Sequence, residues 1–245
     1  MRALVIGEIC EDIFIYGDCK RLSPEAPVPV LNPIQIIKNE GMAGNVVNNL
    51  RAISKDIYVD HWHQEQNITK TRFVDKKSNH MFLRLDEGEE NISGLSSSSN
   101  RIDEISKFDF VIVSDYDKGF INHDWLKMIG KSSKISILDS KKKLTKEIVD
   151  SYTFVKLNEG EYKNNLDLKD CRNIITTLGA KGAEYEGELF SSPNPKETID
   201  VSGAGDTFTA SFIFKYFETK DVRSSIIFAN EMASIVVSKR GVATP

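Results

Sequence analysis

A chain of 245 residues is long enough to bury a full α/β core as one domain, and its 40% hydrophobic and 28% charged residues are the ordinary balance of a soluble globular protein. The formal net charge of -4 leaves no overall basic footprint for nucleic acid, and no stretch reaches the roughly 20 apolar residues that cross a bilayer, so neither partner is expected. Cys10, Cys19 and Cys171 are odd in number and lack CxxC spacing, and the start MRALVIGE is a poor secretory leader; a disulfide framework and a zinc site are not expected, and a reducing cytoplasmic setting is.

Ala3 to Gly7 is a short apolar run ending in glycine, as a buried strand should be. Val28–Lys38 reads as extended chain, with Pro24, Pro27 and Pro29 stiffening its approach as a lid strand or a rigid linker. In Ala43–Ile53 the residues Val46, Val47, Leu50 and Ile53 share one face, which predicts a helix. His61 and His63 stand two apart with no third ligand in view, so loop or strand is expected there and not a metal site. Lys70–Asp86 is a second extended segment, turning at Asp75–Asn79. With the first it predicts a small β lid over about 13–38 and 70–88, whose cover would keep water from a reacting centre. Ser93–Asn100, with five serines, reads as a flexible loop. Four more buried-strand runs follow at Phe110–Val113, Ile135–Leu138, Phe154–Leu157 and Ile174–Thr177, separated by helix-compatible segments such as Asn122–Lys131. That rhythm means βα units, a mainly parallel sheet and helices on its faces, within a single domain over 1–245. A last helix is expected over Asp221–Lys239, capped by Asp221, with Lys239 and Arg240 near its C-terminal dipole and Gly241 ending it.

The segment that speaks of chemistry is Asp200-Val-Ser-Gly-Ala-Gly-Asp206-Thr, which precedes an apolar helix pattern carrying Phe208, Ala210, Phe212, Ile213 and Phe214. Gly203 and Gly205, with Ala204 between them, let the backbone turn tightly and approach a ligand. The free N–H groups of the helix start then point at the same place, where the dipole favours an anion. A phosphoryl group in transfer builds negative charge on its oxygens, and such a turn stabilises it without reorganising. Asp206, at the tip, is placed to accept the proton of an attacking hydroxyl. A lone Asp after glycine is more often a helix cap; the fixed frame of Asp200, Gly203 and Gly205 before a buried helix favours the base.

DVSGAGD resembles the C-terminal signature of the ribokinase-like (PfkB) carbohydrate kinase family, and GxxxxGK[ST] is absent. The resemblance implies a three-layer α/β/α sandwich with a mainly parallel central sheet and a small β-strand lid. It also implies ATP as phosphoryl donor, Asp206 as base and Gly203–Gly205 as the anion hole. Asn158-Glu-Gly-Glu161 is similar to the family's NxxE element, which assigns Asn158 and Glu161 to the phosphates and to magnesium, often through water; an acidic helix start explains the same residues. Thr177, Gly179 and Gly182 match the segment that passes the ATP ribose and phosphates, or a plain turn. Asn230 lies on a helix face that lines the adenine pocket in the family, and that reads as core first. Gly41-Met-Ala-Gly-Asn45 resembles a GGxxxN element, with Met42 in place of the second glycine; it assigns Gly41 and Asn45 to the sugar. Asp12 matches an Asp that binds sugar hydroxyls, while Glu8 stands where Asp is more usual. Some members hold potassium beside the anion hole, with Asp200 nearby.

Arg21-Leu-Ser-Pro-Glu-Ala-Pro-Val-Pro-Val30 resembles the N-terminal segment of D-glycero-β-D-manno-heptose 7-phosphate kinases, including the kinase half of bifunctional heptose enzymes. So do Thr71-Arg72, Leu83-Arg84-Leu85-Asp86 and Ser114-Asp-Tyr-Asp-Lys118-Gly119, and the likeness runs in order from Gly7 to Gly241. It implies transfer to the anomeric hydroxyl of the heptose 7-phosphate, giving the 1,7-bisphosphate on the way to ADP-heptose. Arg72, Arg84 and Lys118 are then candidates to hold the existing phosphate, although each alone is an ordinary surface charge. Between Ile53 and Ile68 the chain is shorter than such kinases by about one βα unit, on the order of 30 residues. Nothing follows Pro245, so the nucleotidyltransferase half is expected to be missing. A kinase for another sugar or a nucleoside, and a trimmed nucleotide-binding homologue without activity, stay open as alternatives. Val28, Val30, Ile34 and Ile36 form an apolar edge that needs cover, which predicts a homodimer through the lid.

Overall fold

The computed structural model describes residues 1–96, 99–193, 201–239 and 243–245. In chain order its elements begin with β1 (Arg2–Gly7), β2 (Ile9–Asp18), β3 (Asn32–Met42), α1 (Ala43–Ile53), β4 (Tyr58–Trp62), β5 (Thr69–Asp75), β6 (Met81–Glu87) and α2 (Ser99–Ile105). They continue with β7 (Phe110–Asp115), α3 (His123–Ser132), β8 (Ser136–Ser140), α4 (Lys146–Ser151), β9 (Phe154–Asn158) and α5 (Glu159–Lys163). β10 (Ile174–Thr177), β11 (Ala183–Tyr185), β12 (Glu188–Phe190), α6 (Ala204–Thr219) and α7 (Val222–Val236) complete the set.

The side-chain alternation of the buried strands decides the layering. Ala3 and Val5 of β1, with Phe110 and Ile112 of β7, pack into one core with α1, α6 and α7. Leu4 and Ile6, with Val111 and Val113, pack into another with residues of α2, α3 and α4. Helices thus cover both faces of one sheet, ordered β12-β11-β10-β9-β8-β7-β1-β4. The pairs from β10 through β9, β8, β7 and β1 to β4 are all parallel, and β11 and β12 are antiparallel additions at the edge. This is the expected three-layer sandwich. The helix α1 has the bounds that its apolar spacing predicts, and Asp221 caps α7 by accepting from the Arg223 and Ser224 amides. Among the described residues no helix is long and apolar enough to cross a membrane.

The lid is larger than the sequence reading. It is a four-stranded sheet in the order β3-β2-β5-β6, spanning Ile9 to Met42 and Thr69 to Glu87. Its inner strand β2 alternates buried and half-buried residues, but Asp12 occupies a buried position, so no apolar run announces the strand. Val28–Leu31 precedes β3 as irregular chain, touched by one isolated β-bridge between Leu22 and Pro29. The serine-rich loop ends sooner than expected, because α2 begins at Ser99; residues 97 and 98 lie outside the described set. α7 ends at Val236, short of Lys239, and Arg240 and Gly241 lie outside the described residues. His61 lies on the edge strand β4 and His63 just beyond it, their rings 4.8 Å apart. Burial, then His63 and Arg51, push His61 down to about 3, so it stays neutral.

The two sheets part at Gly7, where β1 ends beside Ser114 of β7. A Cβ on Gly7 would lie 2.0 Å from the Ser114 carbonyl oxygen, so no other residue fits without moving backbone. Glu8 then turns fully inward before the lid begins at Ile9. Gly7→Ala is expected to cost about 3 kcal/mol of stability or more, the upper range for overpacking a tight site, read as a lower urea midpoint at unchanged slope.

Candidate active site

Gly203 caps α6 in the left-handed region, at φ 80, which a glycine enters freely. The amides of Gly205 and Asp206 belong to the first turn, where N–H groups lack an acceptor inside the helix. A Cβ on Gly205 would sit 3.3 Å from the Lys156 ammonium, so the glycine keeps that cation close to the turn. Lys156 rises from β9, is almost wholly buried, and pairs with Asp139 of β8 at 2.8 Å. Thr209 of α6 donates to the same Asp139 oxygen at 3.1 Å. Burial works against the Lys156 charge, but Asp139, Glu161 and Asp206 outweigh it and hold its pKa up.

The Asp206 carboxylate does not fold back as a cap. Its Oδ2 accepts from Asn45 Nδ2 at 3.0 Å and its Oδ1 from the Tyr116 hydroxyl at 2.9 Å. The direction of the Asn45 amide is set by a relay. Thr207 donates to Asn49 Oδ1 at 2.8 Å, Asn49 Nδ2 donates to Asn45 Oδ1 at 3.0 Å, and that leaves Asn45 Nδ2 for Asp206. Burial is the largest influence on Asp206 and pushes its pKa up to about 6, aided by Asp139 and opposed by Asn45, Tyr116 and Lys156. A carboxylate with this value is charged at neutral pH yet basic enough to take a proton.

Asp206 stands where two cavities meet. One, of about 410 Å³, lies over the C-terminal ends of β8, β9 and β10. The other, of about 370 Å³, lies under the lid. Tyr116, Lys141, Gly203 and Asp206 line both. The larger cavity receives Asn158, Glu161, Thr177, Gly179, Gly182, Ala204, Gly205 and Asn230 from the sequence reading. Gly182, at φ 104, is required by packing, since a Cβ would meet the Phe190 carbonyl at 2.1 Å; Gly179, at φ 59, has open space around it. Asn230 donates to the Phe190 carbonyl at 2.9 Å and so fixes a wall of this cavity. Asn158 and Glu161 form a reciprocal capping box on α5, the acidic helix start that the sequence also allowed. One Glu161 oxygen is spent there, and the other lies 3.6 Å from Lys141. Among the described residues no group of three or more His, Cys, Asp or Glu gathers to hold a metal. Glu161 shares the cavity wall with Asp115, Asp139 and Asp206, and a single carboxylate is enough to fit magnesium, which keeps most of its waters.

The lid cavity receives Asp12, Arg72, Arg84 and Lys118, together with Lys70, which sequence reasoning passed over. The cations already have carboxylate partners: Arg72 pairs with Asp12, Arg84 with Asp86, and Lys118 and Lys70 with Glu89. Gly41 is not on the wall. A Cβ there would lie 2.0 Å from Asp12 Oδ2, so this glycine makes room for the carboxylate. Met42, in place of a glycine, holds φ 55 and ψ -133, a region costly for a side chain. Asp200 lies outside the described residues. Sequence reasoning quoted Glu8 and Tyr116 without giving either a role in the site, and missed Asp139, Lys141 and Lys156. Single acids and lysines carry no local signal, and only the parallel register sets Asp139 beside Lys156. Glu8 accepts from the Tyr116, Lys118 and Phe120 amides at 2.9, 3.1 and 3.2 Å, and so shapes the loop after β7.

The family model described as pfkB family carbohydrate kinase matches residues 47–245. Among similar proteins, the bifunctional protein HldE of a Nitratiruptor species is 32% identical over 294 aligned positions, covering 99% of this chain and 63% of that protein. HldE of Helicobacter pylori (strain J99 / ATCC 700824) is 29% identical, covering 99% and 64%. The chain therefore spans less than two thirds of the length of these relatives. The 294 aligned positions exceed its 245 residues, so the Nitratiruptor relative carries internal segments with no counterpart here. The ribokinase of Thermotoga maritima superposes with a TM-score of 0.73 at 17% identity, covering 98% of this chain and 94% of that one. The Arabidopsis thaliana ribokinase complexed with ribose and ATP gives 0.69 at 16%, covering 98% and 93%. The fold is ribokinase-like.

Raising the Asp206 pKa above its unfolded value of 3.8 carries a stability consequence. The penalty is absent below about pH 4, grows as pH rises toward 6 while only the unfolded chain releases the proton, and is full above that. Asp206→Asn removes the charge and is expected to stabilise the fold at pH 7 by on the order of 2 kcal/mol, with the gain shrinking toward pH 4. Denaturant titrations at the two pH values check the sign.

Proposed function

This chain belongs to the pfkB family of carbohydrate kinases, and we propose that it transfers the γ-phosphoryl group of ATP to a sugar hydroxyl activated by Asp206. The observation that carries this reading is the junction of two cavities at one buried carboxylate beside a helix N-terminal glycine turn. ATP occupies the cavity walled by Thr177, Gly179, Gly182 and Asn230, and the sugar lies under the lid. The sugar O–H gives its proton to Asp206 as its oxygen bonds the γ-phosphorus, and the bond to the β-phosphate oxygen breaks with its electron pair leaving on ADP. The amides of the Gly203–Asp206 turn, with Lys156 beneath and Lys141 beside it, meet the charge that builds on the transferring oxygens. Magnesium, held by Glu161 and the phosphates, supplies charge neutralisation when bound. Potassium near Asp200 belongs to the same proposal by family resemblance.

The substrate we propose is a heptose 7-phosphate, phosphorylated at its anomeric hydroxyl. Two supports are independent. Five cationic side chains, Lys70, Arg72, Arg84, Lys118 and Lys141, line the lid cavity; each is paired with a carboxylate, Asp12, Asp86, Glu89 or Glu161, and the reading requires the phosphate of the sugar to take over some of those partners. The relatives named HldE align along nearly the whole chain, in keeping with the lid segments that resemble heptose-phosphate kinases. Asp12 is the proposed hydroxyl partner, and Asn45, whose amide goes to Asp206, serves the sugar through that carboxylate. A reducing cytoplasm is the proposed compartment, as all three cysteines are free.

The proposed partner is a second copy. In the lid register Ile36 lies opposite Ile15, Ile15 opposite Phe73, and Phe73 opposite Leu83. This row, extended by Ile34 and Leu85, lies on the face opposite Arg72 and Arg84, and Ile34, Ile36, Leu83 and Leu85 are exposed. Two lids packed on these faces would cover them. Sedimentation at micromolar concentration is expected to give a dimer, and Ile36→Asp a monomer; a wild-type monomer there rejects the second copy.

Turnover with heptose 7-phosphate is expected to exceed that with ribose or fructose, and Asp206→Asn to lower it at least about a hundredfold while ATP still binds. Phosphorylation of ribose or fructose alone would refute the heptose assignment, and undiminished turnover in the variant would refute the base.

A further inference from the structure

We propose that Tyr116 is a positioning residue for the base: its phenol, on one carboxylate oxygen, and Asn45, on the other, clamp Asp206 at the junction of the two cavities. This rests on the kinase reading and goes beyond it, because the phenol belongs to neither the anion hole nor the cation groups. Three observations carry it.

First, the bond is directional. Burial, then the nearby Asp206 and Asp139, push the Tyr116 pKa well above the usual phenol range, so the hydroxyl keeps its proton and donates it to Asp206 Oδ1. Donors on both oxygens restrict rotation of the carboxylate about its last torsion and leave the remaining lone pairs for a substrate hydroxyl.

Second, the phenol is itself held. The Tyr116 amide donates to Glu8 Oε2 at 2.9 Å, and the other Glu8 oxygen accepts from Lys118 and Phe120, so one buried acid fixes the loop on both sides of the ring. The ammonium groups of Lys70, from the lid, and Lys141, from the nucleotide side, lie 5.7 and 4.7 Å from the ring centroid. Tyr116 is thus in contact with the walls of both cavities while its hydroxyl holds the base.

Third, the surroundings of Asp206 leave the phenol a measurable share. The groups facing it are Asn45 from α1, Tyr116 from the loop after β7, Asp139 from β8, Lys156 from β9 and Cys10 from β2. Burial and Asp139 oppose its ionisation; Asn45, Tyr116 and Lys156 favour it. Loss of the phenol moves the balance one way, toward the protonated acid, which cannot accept the sugar proton.

The test is Tyr116→Phe, which keeps the ring and its lysine contacts and deletes only the hydroxyl. Carboxyl carbon-13 resonances of the full chain are followed against pH, with the Asp206 signal assigned by its absence in Asp206→Asn. In the wild type Asp206 should titrate near pH 6, and in Tyr116→Phe at higher pH. The acid limb of kcat should move with it, lowering kcat about tenfold at pH 5 and below, the factor for a weak charged hydrogen bond, only about threefold near pH 6.5, and recovering toward pH 9 with KM for ATP unchanged. An Asp206 titration identical in both proteins overturns the clamp, as does a loss of rate that is the same at every pH. If the titration moves as stated but wild-type protein phosphorylates no sugar, the clamp is upheld and the kinase reading falls.

Discussion

A carboxylate kept charged out of water is the interaction on which the rest of this structure depends. Burial drives Asp206 toward the neutral acid, because an unpaired charge in a low-dielectric interior is costly. Asn45 and Tyr116 offset that cost, and each is held by a different layer of the fold. The Asn45 amide is aimed by Asn49 and Thr207, which ties α1 to α6. Tyr116 is aimed by Glu8, which ties the end of β1 to the loop after β7. The bare backbone of Gly7 lets those two strands approach closely enough for Glu8 to reach across. The site is therefore a property of the packed sandwich, and no single element contains it.

The core of the fold was legible because its signals are local. Apolar runs mark β1, β7, β9 and β10, and the spacing of Val46, Val47, Leu50 and Ile53 marks α1. The glycine turn before α6 was legible for the same reason, as its glycines, its acid and the apolar helix that follows lie within one short segment. What escaped depends on partners distant in the chain. β2 hides behind Asp12, a charge whose burial makes sense only with Arg72 of the neighbouring strand paired to it. Lys156 and Asp139 look like stray charges in strands until the register places them side by side. Asn45 was read from resemblance as a sugar contact, whereas the structure gives its amide to Asp206. Gly41, read the same way, makes room for Asp12.

Met42 illustrates how resemblance and physics inform each other. The pattern to which it belongs has glycine at this position, and the structure supplies the reason: φ 55 with ψ -133 suits a residue without Cβ. Met42 is nevertheless buried against Cys10 and Ile68, so the contact area of a large apolar side chain is set against backbone strain of about 1 to 3 kcal/mol. The strained residue is also the joint between lid and core, since β3 ends at Met42 and α1 starts at Ala43.

The pairing of β2 with β5 governs when the protein acquires its lid. The two strands run parallel, although β3, α1 and β4 all lie between them along the chain. A parallel pair cannot be closed by a tight turn, so its formation waits until the intervening segments have docked and brought the ends together. The covering sheet is accordingly completed only after α1 and β4 have docked against β1. Since all four of its strands lie within Ile9–Glu87, a chain emerging amino end first can close this sheet before β7 to β10 have been made.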